Sequence, residues 1–135
     1  MIAIVDAGPL YAAADRGDAD HEACAELLRR ADIDLVVPAL VIAETAHFIG
    51  QRLDVRTEVL FLRSLEQMRI EAPTPADLSR MAELVERYAD FPLGSTDASI
   101  VALAERLNVD ALITLDRRHF GAARPRHRDS FALLP

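Results

Sequence analysis

Short apolar runs alternate with amphipathic stretches along this chain, and the alternation predicts strands separated by helices. Residues Ile2 to Val5 form a continuous apolar run of the kind that is buried in a parallel sheet. Similar runs lie at 35–37, around Ile70 and at 111–114, and a last short strand is predicted at 131–134. We therefore predict an α/β fold with a mainly parallel central β-sheet flanked by α-helices.

Helical patterns fill the segments between these runs. Pro9 is well placed as the first residue of a short helix, Asp54 as an N-cap, and Ser95 or Thr96 as the cap of a later helix that ends at Asn108. The six predicted helices lie at about 9–14, 23–31, 39–53, 55–67, 76–88 and 95–107. The chain contains no repeat or low-complexity tract, so residues 1–135 are predicted to form a single domain.

Composition agrees with one globular domain that needs no disulfides. The chain has 135 residues, and 27% of them are charged. The hydrophobic fraction of 51% is enough to bury a sizeable core. No apolar run approaches the roughly 20 residues that cross a bilayer, so we expect no membrane contact. The one cysteine, Cys24, cannot form an internal disulfide, which fits the reducing cytoplasm where we expect the protein to act.

The charge distribution is uneven. The formal net charge is −7, which argues against a protein that holds nucleic acid through overall positive potential. All basic residues are arginines, and five of them crowd the C-terminal segment with two histidines: Arg117, Arg118, His119, Arg124, Arg126, His127 and Arg128. Two interpretations stay open for this segment, namely contact with phosphates or a solvated basic tail.

Two carboxylates directly follow predicted strands. Asp6 comes after the run IAIV, and Asp116 lies just beyond ALIT. In open parallel α/β sheets, ligands bind beyond the carboxyl ends of the strands. An acid at a strand end is common in loops, so neither residue alone identifies a site. Together they indicate the edge of the sheet at which we expect the chemistry.

Two further acids, Glu44 and Asp97, occupy helix positions where an apolar residue is expected. Glu44 lies four residues after Leu40 and four before Phe48, so it shares their apolar side. Asp97 precedes Ile100 by three residues at the start of an apolar stripe. A buried carboxylate is normally paired or coordinates a metal. Two alternatives remain open: Glu44 forms a buried salt bridge with an arginine, and Asp97 caps its helix or interacts with the helix dipole.

These four acids could converge at one end of the sheet although they come from separate parts of the chain. An all-oxygen cluster suits Mg²⁺ or Mn²⁺ rather than zinc, which prefers histidine and cysteine. A divalent ion held by carboxylates polarises a phosphodiester, lowers the pKa of bound water and stabilises the attacking and leaving oxygens. The sequence therefore predicts a catalytic metal site composed of Asp6, Glu44, Asp97 and Asp116.

Other motifs point elsewhere and are incomplete. The chain has no glycine-rich dinucleotide or phosphate loop. Haloacid-dehalogenase phosphatases need a second aspartate two residues after the first, and here that position is Gly8. Glu44 and His47 have the spacing of a di-iron helix, but only one copy is present, so His47 is predicted to be structural.

Four segments of the chain carry family-like motifs in a fixed order. They are IVDAGPLYA, VPALVIAETAHFI, YADFPLGSTDASIVALAERL and ALITLDRRHF, and they cover essentially the whole chain. In these segments and their spacing, the chain resembles the PIN-domain family and, within it, the VapC-type toxins of bacterial toxin–antitoxin modules. One departure is that Ala7 and Gly8 follow Asp6, where many members have Thr or Ser.

The resemblance implies roles for individual residues. Asp6, Glu44, Asp97 and Asp116 would be the acidic quartet that holds Mg²⁺ or Mn²⁺. The hydroxyls of Thr114 and of Ser95 or Thr96 would support the cluster by hydrogen bonds. Asp90 would be an additional acid in a nearby loop, and Phe120 would anchor the loop near Asp116 in the core.

The resemblance also implies a function. The protein would be an endoribonuclease that leaves 3′-hydroxyl and 5′-phosphate ends, would form a homodimer, and would be inhibited by a cognate antitoxin protein that places a basic side chain near the acidic pocket. Two alternatives remain: a non-catalytic PIN module that binds RNA or protein, and a phosphatase or DNA nuclease of similar fold.

Overall fold

The computed structural model describes all 135 residues and has one five-stranded sheet. The strands are β1 (Ile2–Val5), β2 (Asp34–Pro38), β3 (Arg69–Glu71), β4 (Ala111–Ile113) and β5 (Ala132–Leu134). Their order is β3-β2-β1-β4-β5, and every neighbouring pair is parallel. The predicted α/β fold with a parallel central sheet is therefore confirmed, and β1 occupies its centre.

Seven helices surround the sheet. They are α1 (Ala7–Ala14), α2 (His21–Leu28), α3 (Ala39–Arg52), α4 (Val55–Ser64), α5 (Pro75–Arg87), α6 (Ser95–Leu107) and α7 (Arg117–Ala122). Six of them match predicted helices, and Asp54 caps α4 by accepting a hydrogen bond from the backbone N–H of Thr57 at 2.7 Å. Asn108 ends α6 in a left-handed conformation with φ 55°, a geometry that asparagine tolerates better than most residues.

Some predicted helix boundaries are wrong. Helix α1 begins at Ala7, two residues before Pro9, because the Asp6 side chain accepts a hydrogen bond from the Ala7 N–H. Gly94, not Ser95 or Thr96, is the N-cap of α6. Helix α7 was not predicted at all, since its six residues carry no apolar repeat.

The core lies on both sides of the sheet. Ala3, Ile4 and Val5 of β1 are fully buried, whereas Ile2 is 41% exposed, so the predicted buried run holds for three of its four residues. Helix α6 buries seven consecutive residues, Ala98 to Ala104, and is therefore enclosed on nearly all sides. None of the helices combines the length and the apolar character of a membrane span.

The arginine-rich segment near the C-terminus is anchored to the domain. The Arg126 guanidinium lies 2.8 Å from the Glu83 carboxylate, and the Arg126 backbone N–H donates to Glu105 at 2.8 Å. Arg128 lies 3.6 Å from Asp110. These ion pairs fix the path of the segment over α5 and α6, while its arginine side chains stay exposed, so contact with phosphates and a solvated basic segment both remain predictions.

Candidate metal and active site

The strand order creates a switch point at the carboxyl ends of β1 and β4. From β1 the chain proceeds towards β2 and β3 on one side, while β4 and β5 extend the sheet on the other. Crevices at such points are the usual ligand sites of open parallel sheets. Asp6 follows β1 and its backbone N–H donates to Ile113 of β4 at 2.9 Å, and Asp116 follows β4 three residues after Ile113. The fold thus brings the two strand-end acids to one crevice.

Thr114 connects these two acids. Its hydroxyl donates to Asp6 Oδ2 at 2.8 Å and accepts from the Asp116 backbone N–H at 3.0 Å. The residue is almost fully buried, so these bonds are protected from water. The expected hydrogen bond from Thr114 to the cluster is therefore present, whereas the side chains of Ser95 and Thr96 make none.

The helix acids line the same crevice. A cleft of about 270 Å³ is lined by Asp6, Ala7, Gly8, Tyr11, Glu44, Phe48, Arg52, Asp97 and Asp116. Glu44 extends from α3 and is half-buried without an arginine partner, so the salt-bridge alternative is wrong. Asp97 lies in the first turn of α6 and makes no side-chain hydrogen bond to the backbone there, so it is not a cap, although the helix dipole favours an acid at this position.

Three of the four carboxyl groups have a raised pKa, because they are buried and lie close to other negative charges. Burial raises the pKa of Asp97 to about 6, and the nearby charges of Asp6 and Asp116 add to the effect. Burial also raises the pKa of Asp6, although hydrogen bonds from Thr114 and the Ala7 N–H oppose the increase. Glu44 has its pKa raised by burial and by the charge of Asp6. Such a group of anions is stabilised by protons or by a cation.

The metal-free protein is expected to become less stable, relative to an Asp97→Asn variant, as pH rises from 3.8 to about 6. The Asp97 pKa is higher in the folded than in the unfolded chain, so its protonation stabilises the fold below pH 3.8, and this stabilisation is lost through pH 6. Partial solvent exposure makes the effect modest. Urea unfolding in EDTA at several pH values measures it, and a pH-independent difference between the two proteins would contradict it.

His119 is a potential ligand that sequence reasoning missed. One ligand atom each from Asp97, Asp116 and His119 lie within 4.8 Å of one another, the tightest such group in the protein. His119 Nδ1 is 2.8 Å from Asp116 Oδ2, and its ring packs against Phe91 at 4.9 Å. The signal was the spacing of Asp116 and His119, which one helical turn brings together. Asp6 and Glu44 lie in the cleft but outside this group.

Two other candidates lie away from the cleft. Asp90 is exposed in the turn before α6 and does not line the cleft. His47 is exposed on α3 and contacts the Phe48 ring at 5.9 Å, so it contributes nothing to the acidic cluster.

The cluster is chemically suited to a hard divalent cation. Its donors are carboxylate oxygens, with one imidazole at the edge, and Mg²⁺ prefers oxygen ligands while Mn²⁺ also accepts nitrogen. No cationic side chain neutralises Asp6 or Glu44, and for Asp97 only the charge of His119 opposes the rise in pKa.

Replacing Thr114 by valine is expected to weaken Mn²⁺ binding by roughly 10- to 100-fold, the usual effect of removing a hydrogen bond that orients a metal ligand. The substitution keeps the shape but removes the bridge between Asp6 and Asp116. Isothermal titration calorimetry measures the affinity. Ser99→Ala serves as the control, because the Ser99 hydroxyl is also buried but bonds only to the Thr96 carbonyl of its own helix. Equal losses in both variants would contradict the positioning role of Thr114.

The chain is similar to known proteins in sequence. The sequence matches the PIN domain family over residues 3–125. It is 34% identical over 134 residues to Ribonuclease VapC26 of Mycobacterium tuberculosis, and the match covers 98% of this chain and 99% of that protein.

The fold is similar to solved toxin structures. VapC20 of Mycobacterium tuberculosis, described as a sarcin-ricin loop cleaving toxin, matches with a TM-score of 0.74 and 20% identity over 82% of this chain and 86% of its own. FitAcB from Neisseria gonorrhoeae matches with a TM-score of 0.69 and 19% identity over 100% of this chain and 97% of its own. At these identities the likeness concerns the fold. The family match and the relative that is one-third identical over almost the whole chain show that this protein belongs to the PIN-domain family and is a homologue of the VapC ribonucleases.

Proposed function

We propose that this protein is a metal-dependent endoribonuclease and the toxin of a toxin–antitoxin pair. The observation that carries the proposal is the convergence of Asp6, Glu44, Asp97 and Asp116 in one cleft, where Asp6 and Glu44 have no cationic partner. The homologous Ribonuclease VapC26 supports the choice of RNA as substrate. A non-catalytic binding module would have no need for four acids at the switch point of the sheet.

The four carboxylates would hold Mg²⁺ or Mn²⁺, with His119 beside Asp116. The bound ion would polarise the phosphodiester and supply a water of lowered pKa. Thr114 keeps the carboxylates of Asp6 and Asp116 oriented, and burial keeps competing water away from Asp6. Helix α6 presents Asp97 to the cleft from its first turn, so that the ligands come from four separate parts of the fold, namely the end of β1, α3, α6 and the segment after β4.

The proposal includes an antitoxin and a second copy of the chain. Similar folds include a toxin–antitoxin complex from Klebsiella pneumoniae and VapBC2 from Rickettsia felis bound to a promoter fragment. An acidic cleft whose carboxylates lack partners can accept a basic side chain of an antitoxin. For a homodimer, the support is an exposed apolar face of α4 formed by Val55, Val59 and Leu62. Light scattering measures the oligomeric state, and a monomer would contradict the homodimer.

Expression in a bacterial host, followed by sequencing of RNA 5′ ends, tests the ribonuclease. New 5′-phosphate ends are expected with the wild-type protein and not with Asp97→Asn at the same soluble level. The positions of these ends would also identify the target RNA.

Incubation of the purified protein with total RNA, DNA and a phosphomonoester provides the complementary assay. Cleavage of DNA alone would favour a DNA nuclease, and release of inorganic phosphate would favour a phosphatase. RNA binding without any cleavage in Mg²⁺ or Mn²⁺ would overturn the enzyme in favour of a binding module.

A further inference from the structure

One cation, Arg52, lies at the rim of the carboxylate cleft. It is the only positively charged residue among those that line the cleft. Its guanidinium carbon is 4.6 Å from the centroid of the Phe48 ring and 5.3 Å from that of Tyr11. The side chain is exposed and forms no ion pair, unlike Arg80, which pairs with Glu105 at 2.8 Å. The positive charge of Arg52 is therefore available to a ligand.

Helix α3 aligns this cation with the acidic site. Glu44, Phe48 and Arg52 are spaced by four residues, so they lie along one face of the helix. Eight residues correspond to about 12 Å along the helix axis. The guanidinium stacks on Phe48 and forms no ion pair with Glu44 or Asp97, so it does not neutralise the cluster. It is instead separated from the cluster by the Phe48 ring.

The two aromatic rings restrict how the guanidinium can lie. Stacking on Phe48 and Tyr11 stabilises a cation by about 0.5–1 kcal/mol at an exposed site. Tyr11 is itself fixed, because its hydroxyl donates to Asp15 at 2.7 Å. A stacked guanidinium keeps its N–H groups free at the edge of its plane, and these groups match the oxygens of a phosphate in a bidentate way. The arrangement thus supplies an oriented anion-binding group next to an acidic pocket.

An RNA strand approaching this cleft encounters a strongly unfavourable charge. The protein has a net charge of −7, and the cleft concentrates four carboxylates. A metal ion would compensate at the cleaved bond itself but not at the neighbouring phosphates, each of which carries a negative charge. A cation at the rim meets that need without competing for the metal ligands.

We propose that Arg52, stacked on Phe48 and Tyr11, binds a phosphate of the RNA backbone adjacent to the cleaved bond and positions the strand across the cleft. This inference rests on the proposed ribonuclease function. It gives Arg52 a positioning role, since the residue would contact the substrate away from the reacting phosphate.

The test measures binding of a short fluorescein-labelled single-stranded RNA of mixed sequence by fluorescence anisotropy. Ca²⁺ is present to occupy the carboxylates, and a gel confirms that the RNA stays intact. Arg52→Ala is expected to bind about 10-fold more weakly near 0.1 M salt and to reduce the slope of log affinity against log salt by about 0.7, the share of one phosphate contact on a single strand. Arg52→Lys keeps the charge and is expected to retain the slope with an intermediate affinity.

The matched control is Arg87→Ala. Arg87 is also an exposed arginine stacked on a ring, with its guanidinium carbon 5.6 Å from the Tyr88 centroid, but it lies at the end of α5 outside the cleft. Its loss is expected to leave both affinity and slope unchanged. Thermal unfolding of all variants verifies that they are folded. If Arg52→Ala does not fold, the affinity and salt slope of Arg52→Lys still test the role of the guanidinium.

Each outcome has a defined meaning. Wild-type binding with an unchanged slope in Arg52→Ala would overturn the role of Arg52 and leave the ribonuclease proposal intact. An equal loss in Arg87→Ala would show a general charge effect and would also overturn it. If the wild-type protein bound no RNA and cleaved none, the proposed function would fail and the inference with it.

Discussion

The Asp97→Asn protein is expected to fold normally and to lose at least about 100-fold of its RNA-cleaving activity, since a metal contributes several kcal/mol to transition-state stabilisation. The exchange keeps the shape of the side chain but removes the charge of one of the most closely grouped ligands, which lies with Asp116 and His119 within 4.8 Å. It also relieves repulsion, because Asp97 is partly buried and faces the charges of Asp6 and Asp116.

Stability measurements distinguish loss of the metal site from loss of the fold. At pH 7 in EDTA, the melting temperature of Asp97→Asn is expected to equal or exceed that of the wild type. Added Mn²⁺ is expected to raise the melting temperature of the wild type only, because a ligand stabilises the state that binds it.

Asp34→Asn is the matched control for this substitution. Asp34 is an exposed aspartate at the start of β2, at the opposite edge of the sheet, so its variant is expected to keep the activity and the Mn²⁺ effect. An active Asp97→Asn enzyme would contradict the proposed site. A variant that melts well below the wild type in EDTA would contradict the account of its charge.

The central strands β1, β2 and β4 could be predicted from the sequence because each contains a compact apolar run, and buried strands need no alternation to be recognised. The edge strands β3 and β5 were also predicted, although neither is fully buried and β3 contributes only Ile70 as an apolar residue. The strand order could not be predicted in this way. The pairing of β1 with β4 joins residues more than 100 positions apart, and no local pattern encodes it. The expectation that Asp6 and Asp116 share a crevice followed from a general rule for parallel sheets, and the pairing fulfils it.

The acids on helices were recognisable because they interrupt an apolar pattern. Glu44 lies on the side of α3 that carries Phe48, and the structure shows why a carboxylate is tolerated there: this side faces a cleft. His119 does not interrupt an apolar pattern, and its only signal was its spacing of three residues from Asp116. It belongs to a six-residue helix with Arg117 and Arg118, whose charges suggest a loop. Its proximity to Asp116 depends on α7, which only the packing of the chain reveals.

Helix α7 also explains why the segment around Phe120 was mistaken for a loop. Propensity and periodicity are weak in so short a segment, and tertiary contacts decide its conformation. Two contacts do so here. Asp116 caps the helix by accepting from the His119 N–H at 2.9 Å, and Phe120 is almost fully buried beneath it. The prediction that Phe120 is an anchor in the core is confirmed, although the element that it anchors is a helix.

Replacing Phe120 by alanine is therefore expected to reduce the free energy of unfolding by about 3–5 kcal/mol, the usual cost of a cavity left by a large aromatic side chain. The ring packs edge-to-face against Phe131 at 6.4 Å, so the substitution removes a contact between α7 and the segment before β5. For a domain of this size, the loss corresponds to a decrease of roughly 10–20 °C in melting temperature. Urea unfolding measures it through the transition midpoint at an unchanged slope.

Leu78→Ala is the control, because Leu78 on α5 is 54% exposed and its loss should change stability by no more than about 0.5 kcal/mol. A similar small change in Phe120→Ala would contradict the anchor. The effect should extend to the site, since α7 holds the Asp116 carboxylate through its first turn. At temperatures where Phe120→Ala is still folded, it is expected to bind Mn²⁺ more weakly than Leu78→Ala does. Equal affinity would mean that Thr114 and β4 position Asp116 without help from α7, and that the buried ring serves stability alone.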